Sequence, residues 1–146
     1  MAAMSNYLEN ELVDHLFRAR SFSAPTAMHV ALFTAAPNDA GGGTEVTGGS
    51  YARVALNPSF SNWKGTGGET TATDSAGTTG TTSNNATITF PAPTANWGTV
   101  THFAIFDASS GGNMFFYGAL TQSKNVNNGD AAPSFAVDAL SIQLDN

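Results

Sequence analysis

The chain has 146 residues, a net charge of −6 at pH 7 and no cysteine, and only 11% of its residues are charged. This length fits a single domain over residues 1–146, and the lack of cysteine excludes disulfides and thiolate metal sites. Only five residues are Lys or Arg, which disfavours nucleic acid and anionic membranes as partners, because both bind basic surfaces.

The first predicted element is a helix over residues 5–20. Its apolar side chains recur at the i, i+3 and i+4 spacing of one helix face, and Asn6 with Glu9 resembles a capping box. A helix of this length is marginal in water, so its apolar stripe is expected to dock on the chain's own core or on a partner. The stripe residues expected to make that contact are Tyr7, Leu8, Leu12 and Leu16.

Short runs of alternating apolar residues follow, bounded by Gly, Pro, Asn and Asp turn signals. They predict strands over residues 28–33, 51–56, 87–90, 99–106, 114–120, 135–137 and 139–144. Several short strands with such turns indicate a mainly β fold. We therefore expect an antiparallel β-sandwich or jelly-roll-like domain over residues 28–144, with the N-terminal helix at one edge.

The aromatic run near residue 115 is apolar on both sides of its predicted strand. Alternation places Phe115 and Tyr117 on one face, and Met114 and Phe116 on the other. Burial on both faces follows, with the core on one side and either a second layer or another subunit on the other.

Residues 57–85 form a Thr/Gly-rich insertion or arm. From residue 61 onward the segment has few apolar side chains, so burial offsets little of its ordering entropy. Two interpretations remain open. The segment is either a flexible surface loop or an arm that orders on a neighbouring subunit, with Phe60 and Trp63 as its anchors.

No catalytic, cofactor-binding or metal-ligating residue is predicted. His15, His29 and His102 lack the spacing of zinc ligands. No glycine group has the phosphate-binding spacing. The Asn and Asp residues near positions 38–39 and 125–130 could offer oxygen ligands to calcium, but they lack the EF-hand spacing and are more typical of turns.

His102 is expected to be a structural histidine that shares a strand face with Val100, Ala104 and Phe106. A catalytic triad could in principle combine His102 and Asp107 with a serine of the following turn, but the chain has no nucleophile elbow. Asp107 most simply caps that turn. The chain is therefore expected not to be an enzyme.

Motifs along most of the chain resemble a family of small tailed-bacteriophage and prophage virion proteins, whose members often carry the label tail fibre protein. They are SNYLENELVDH at 5–15, ALFT at 31–34 with Pro37, GGSYAR at 48–53, ITFP at 88–91, WGTVTHF at 97–103, IFDA at 105–108, GGN at 111–113 and GD at 129–130. The resemblance leaves out residues 57–85 and the tail after Asp130. It implies a structural role in the virion, after assembly in the host cytoplasm, and transfers no catalytic residues.

Three functions are compatible with these observations. The first is capsid decoration, in which a homotrimer binds the outside of the head and stabilises the lattice of its partner, the major capsid protein. The helix stripe, Phe60 and Trp63 are the expected contacts. The alternative is a tail-associated protein, either a fibre or a receptor-binding component. A small hydrolase acting on cell-surface polymers is the third.

Overall fold

A computed structural model describes residues 2–144, in which one helix and ten strands follow one another. The elements are β1 (Ala2–Met4), α1 (Asn6–Phe17), β2 (His29–Ala35), β3 (Thr44–Glu45), β4 (Val54–Ala55), β5 (Thr81–Ser83), β6 (Ile88–Thr89), β7 (Gly98–Phe106), β8 (Met114–Val126), β9 (Ser134–Phe135) and β10 (Ser141–Gln143). Within these residues, no helix has the length and apolarity needed to cross a membrane.

The strands form one large sheet and two small ones, and every pairing is antiparallel. The large sheet has the order β1-β8-β7-β2-β3, and β4 also pairs with β2. The small sheets are β5 with β10 and β6 with β9. The predicted class, mainly β and antiparallel with one N-terminal helix, is confirmed, and the layers correspond to a sandwich whose second layer is divided.

The main core lies between the large sheet and the two small sheets. Val30, Leu32 and Ile105 of the large sheet pack in one cluster with Ile88 and Ile142 of the small sheets. All five side chains are almost completely buried. Burial of each such side chain stabilises the fold by about 1.5–3 kcal/mol, so this cluster holds the two layers together.

A second, smaller core covers the opposite face of the large sheet. It contains Ala31, Phe33, Ala104 and Met114. The start of α1 extends this layer, because the Tyr7 ring stacks on Phe115 with centroids 5.6 Å apart and an interplanar angle of 7°. The second layer expected over the aromatic run is therefore supplied in part by the chain's own helix.

Two irregularities in β7 and β8 change the predicted faces. The register shifts between Val100 and His102, and again between Ile105 and Phe106. At the first shift a single residue of β7, Thr101, lies opposite four residues of β8, and at the second Phe115 is one extra residue of β8, so the alternation of side chains is interrupted at both points. As a result Val100 joins the main core, whereas His102 pairs with Phe33 on the other face, so the shared face predicted for these two residues is wrong.

The second bulge places Met114 and Phe116 on opposite faces of β8, whereas the prediction placed them together. Met114 clusters with Tyr117 in the smaller core, whereas Phe116 packs against the main core. The prediction had Met114 and Phe116 on one face. Because Ile105 pairs with Phe116 and Phe106 pairs with Met114, Phe115 is the additional residue that moves Met114 to the opposite side.

Helix α1 is shorter than predicted and has a different cap. It spans Asn6–Phe17, and Ser5 rather than Asn6 is its N-cap, since the Ser5 hydroxyl accepts a hydrogen bond from the backbone of Leu8 at 3.3 Å. Arg18 closes the helix and Ala19 adopts a left-handed backbone with φ of 56°. That conformation cannot continue an α-helix, so the predicted end at residue 20 is wrong.

The predicted strand over residues 51–56 is reduced to β4, Val54–Ala55. A longer strand would offer the Leu32 amide of β2 a backbone carbonyl as its acceptor. This amide donates instead to the side-chain hydroxyl of Tyr51, at 2.9 Å. Strand β8, by contrast, continues to Val126 through an exposed polar stretch. Strands β1, β3 and β5 were not predicted, because their sequences, AAM, TE and TTS, lack an alternation of apolar and polar residues.

Candidate docking site

An apolar cleft of about 570 Å³ lies where residues 58–75 cover one edge of the main core. Its apolar lining comes from both layers of the fold and from the Thr/Gly-rich segment. Its polar lining residues are Lys64, Glu69, Thr71, Thr73, Ser75 and Thr82. The principal apolar lining residues are Met28, Phe60, Trp63, Phe116, Ile142 and Leu144.

Trp63 is held rigidly in this cleft by its own chain. The indole N–H donates to the Leu56 carbonyl at 3.0 Å, and the ring packs against the main core. Phe60 and Leu144, in contrast, are 55% and 58% exposed. The cleft thus combines a fixed aromatic wall with two apolar side chains that are free to contact a partner.

The Thr/Gly-rich segment is tied to the C-terminal part of the chain. Strand β5 pairs with β10, and Lys64 Nζ lies 2.6 Å from a carboxylate oxygen of Asp138. The Ser83 hydroxyl donates to the other carboxylate oxygen at 2.6 Å. These bonds from Lys64 and Ser83 lower the pKa of Asp138 below its usual range.

Asn84 directly follows β5 and is completely buried. Its amide nitrogen donates to the carbonyls of Ala86 and Ala136, both at 2.8 Å. Its side-chain oxygen accepts from the Leu140 amide at 2.8 Å. The side chain therefore joins the end of the Thr/Gly-rich segment to residues 136–140. Its hydrogen bonds take the place of the backbone bonds that would pair two strands.

The tip of the segment is organised by Glu69. Its carboxylate accepts from the amides of Gly67 at 2.9 Å and Ala76 at 3.0 Å. The pKa of Glu69 is lowered by hydrogen bonds from backbone amides, first its own and then that of Gly67. The loop that contributes to the cleft lining is thus held by a charged side chain within the loop itself.

A second polar network supports the 107–113 hairpin turn. Arg53, whose side chain is 6% exposed, makes two bonds of 2.8 Å to the carboxylate of Glu45. Its remaining guanidinium nitrogen donates to the carbonyls of Ala108 and Gly111 at 2.9 and 2.8 Å, and its guanidinium carbon lies 3.7 Å from the centre of the Phe106 ring. The turn therefore rests on a buried ion pair.

Tyr51 completes this network. Its hydroxyl donates to Glu45 at 3.0 Å and accepts from the Leu32 amide. Burial is the main reason that the pKa of Tyr51 is well above its usual value, and the carboxylate of Glu45 raises it further. The hydroxyl consequently stays protonated and donating across the neutral pH range.

The predicted contact residues fall into two groups that lie apart. Phe60 and Trp63 meet in the cleft, whereas the helix stripe does not line it. In the stripe, Leu8 is buried, Tyr7 and Leu12 are half-buried, and Leu16 is 68% exposed. The first turn of the stripe therefore belongs to the subunit core, and Leu16 remains available to a partner.

His102 and Asp107, the two residues considered for a catalytic triad, make local contacts. His102 Nδ1 lies 2.8 Å from the Thr101 hydroxyl, and Asp107 accepts from the backbone and side chain of Asn113 at 2.7 and 2.8 Å. Asp107 thus caps its turn, as predicted. Among residues 2–144, no group of three His, Cys, Asp or Glu side chains is arranged to hold a metal ion.

The family model described as Podophage GP4 fiber I protein gp80 matches residues 3–143. The match runs through residues 57–85 and beyond Asp130, two regions that the sequence resemblance left out. No curated protein matches the chain.

Proposed function

The chain belongs to the family of the podophage GP4 fiber I protein gp80, and from this membership we propose that it is a component of a phage tail fibre. Membership makes the chain a phage virion structural protein. The fibre in the family's description is the observation that favours a tail position over the head decoration expected from the sequence. The acidic, charge-poor surface suits both positions, because both depend on protein–protein contact.

In this proposal the chain acts by binding other virion proteins and catalyses no reaction. It requires no cofactor and is assembled into the virion in the host cytoplasm. The hydrogen bonds of His102 and Asp107 to Thr101 and Asn113 support a non-enzymatic role, because they engage these side chains within their own strand and turn. The major capsid protein is a partner only in the alternative, capsid decoration.

The apolar cleft is the site that we propose for a neighbouring tail protein. Its lining is mostly apolar, which suits an aliphatic or aromatic side chain of a protein partner better than a sugar. Phe60 and Leu144 line the cleft and are more than half exposed, and the hydroxyls of Thr71 and Thr73 can bond to the partner's backbone. Interfaces commonly combine apolar contact with a smaller number of hydrogen bonds.

A Phe60→Ser exchange tests this use of the cleft. Truncation of a central aromatic contact typically costs 2 kcal/mol or more of binding free energy, or roughly thirtyfold in affinity. We expect virions made with the variant to contain far fewer copies of the chain, measured by quantitative mass spectrometry of purified particles. The free chain should keep its thermal unfolding midpoint, because Phe60 is 55% exposed.

Val137→Ser provides the matched control. Val137 is also apolar and 44% exposed, but it does not line the cleft. Its replacement should leave incorporation unchanged. Equal incorporation of the Phe60 variant and the control would show that the cleft is not a docking site.

A further inference from the structure

The turn between β8 and β9 contains the only Asn–Gly sequence of the chain, Asn128-Gly129. Both residues are exposed. They occupy the centre of a turn that the Asp130 amide closes by donating to the Asn127 carbonyl at 3.1 Å. Gly129 has a φ of 80°, a left-handed conformation that glycine adopts without strain. The turn therefore sets an exposed side-chain amide beside a backbone nitrogen that no side chain shields.

An Asn that precedes Gly can lose its side-chain amide without an enzyme. The backbone nitrogen of Gly129 loses its proton and attacks Cγ of Asn128. A new N–C bond closes a five-membered succinimide ring, the bond from Cγ to the amide nitrogen breaks, and ammonia leaves with the proton. Water then opens the ring at either of its two carbonyls, which gives Asp or isoaspartate. No oxidant, reductant or metal is needed.

The fold restrains both reacting residues against the loop at residues 93–96. The Gly129 amide donates to the Pro93 carbonyl at 3.0 Å, and the Asn128 amide donates to the side-chain oxygen of Asn96 at 2.8 Å. We call this pair of hydrogen bonds the turn clamp. The first bond keeps the proton on the attacking nitrogen, and the second fixes the backbone at Asn128. Ring closure therefore requires a local opening of the turn clamp.

The 93–96 loop is itself firmly anchored. The Thr94 amide donates to the Gly49 carbonyl at 3.0 Å, and the indole N–H of the buried Trp97 donates to the same carbonyl at 2.9 Å. The backbone amide of Trp97 donates to the Val126 carbonyl at 2.9 Å, directly before the turn. The turn clamp thus holds the exposed turn to a fixed support.

From this arrangement we propose that Asn128 is a site of spontaneous deamidation, and that the turn clamp controls its rate. The reaction proceeds only in the fraction of molecules whose clamp is open. The product adds a negative charge beside Asp130 in a chain whose net charge is already −6. Isoaspartate also lengthens the backbone, so the clamp cannot close again in the same register. An assembled particle does not replace its proteins, so altered copies accumulate with its age.

The inference goes beyond the proposed function, because it concerns the purified chain as much as the virion. Peptide mapping by mass spectrometry, after prolonged warm incubation of the folded chain at mildly alkaline pH, tests it. We expect Asn128 to convert before any other Asn, with the mass change of an amide replaced by a carboxylate. The rate should rise with pH, because the attacking nitrogen must lose its proton. Asn128→Ser removes the amide and should abolish the change in this peptide.

Asn96→Ala tests the turn clamp. It removes the acceptor of the Asn128 amide, and we expect conversion to become roughly fivefold faster, as the loss of one hydrogen bond predicts. Asn96 is exposed, so the circular dichroism spectrum should stay that of the wild type. Asn85→Ala, which removes a side-chain hydrogen bond to the Phe60 carbonyl, is the matched control and should leave the rate unchanged. Unfolding in urea opens both bonds and should accelerate conversion roughly tenfold or more.

Either of two results would overturn the proposal. One is a folded chain in which another Asn converts before Asn128. The other is a rate at Asn128 that neither Asn96→Ala nor unfolding in urea increases, because the turn clamp would then not limit the reaction. Both results are independent of the cleft and of the position of the chain on the virion, so they do not decide the proposed function.

Discussion

Replacement of Asn84 by Ala is expected to lower the free energy of unfolding by about 3–4 kcal/mol. The exchange removes three hydrogen bonds, and an unsatisfied buried group costs about 1–3 kcal/mol. The Leu140 amide and the Ala86 carbonyl are then left without a hydrogen-bond partner. The Ala136 carbonyl keeps a partner, because it also accepts from the Ala139 amide. For a chain of this length, the midpoint of thermal unfolding should fall by roughly 10 °C.

Asn85→Ala is the control for this measurement. Asn85 is the next residue and donates an exposed hydrogen bond to the Phe60 carbonyl at 3.2 Å, which is worth about 1 kcal/mol or less. Asn84→Asp keeps the shape of the side chain but points a carboxylate oxygen at two carbonyls, so it should destabilise more than Asn84→Ala. If calorimetry gave the Asn84→Ala and Asn85→Ala variants the same stability, the described role of Asn84 would be wrong.

Replacement of Arg53 by Met is expected to cost on the order of 3 kcal/mol of unfolding free energy, because removal of one partner leaves a largely desolvated charge on the other. Glu45 loses a bidentate partner, and the carbonyls of Ala108 and Gly111 lose their donor. Chemical denaturation measures the loss. Hydrogen exchange should show, in addition, faster exchange in the 107–113 turn.

The other ion pairs provide a graded comparison. Arg18 pairs with Asp14 but is 70% exposed, so Arg18→Met should change stability by less than about 1 kcal/mol. Arg53→Lys keeps the charge without the planar fork, and we expect it to retain most of the destabilisation. Similar losses for Arg53→Met and Arg18→Met would contradict a structural role for the buried network.

The fold class was accessible from the sequence because its central elements carry strong patterns. Strands β2 and β7 have buried apolar side chains in nearly continuous runs. The spacing of the stripe residues Tyr7, Leu8, Leu12 and Leu16 indicates the helix. The bulge beside His102 was not accessible. The irregular register there reverses the faces that follow it, and only the pairing with β8 reveals where the shift occurs.

The candidate site was only partly accessible. Phe60 and Trp63 stand out as aromatic residues beside a polar, Thr/Gly-rich run, and the cleft brings them together. Asn84 has no comparable signal, since an Asn in such a run usually forms a turn. Arg53 carries a weak sequence signal for a structural role, because it is one of only five Lys and Arg residues and lies in a predicted strand.

The chain has two separate apolar surfaces, the cleft and the exposed last turn of α1 with Leu16 and Phe17. One is framed by the Thr/Gly-rich segment and the other by α1. A fibre component needs at least two contacts, one to the tail and one to a further copy or component. The cleft, which we assign to a neighbouring tail protein, supplies one of these contacts.

The position of the chain on the virion is the measurement that tests the tail-fibre proposal most directly. Purified particles would be labelled with gold-conjugated antibodies raised against the isolated chain and viewed by electron microscopy, with the copy number obtained by mass spectrometry. We expect gold at the tail and a small number of copies per particle. Gold distributed over the head, with about one copy for each major capsid protein, would contradict the proposal and establish capsid decoration instead.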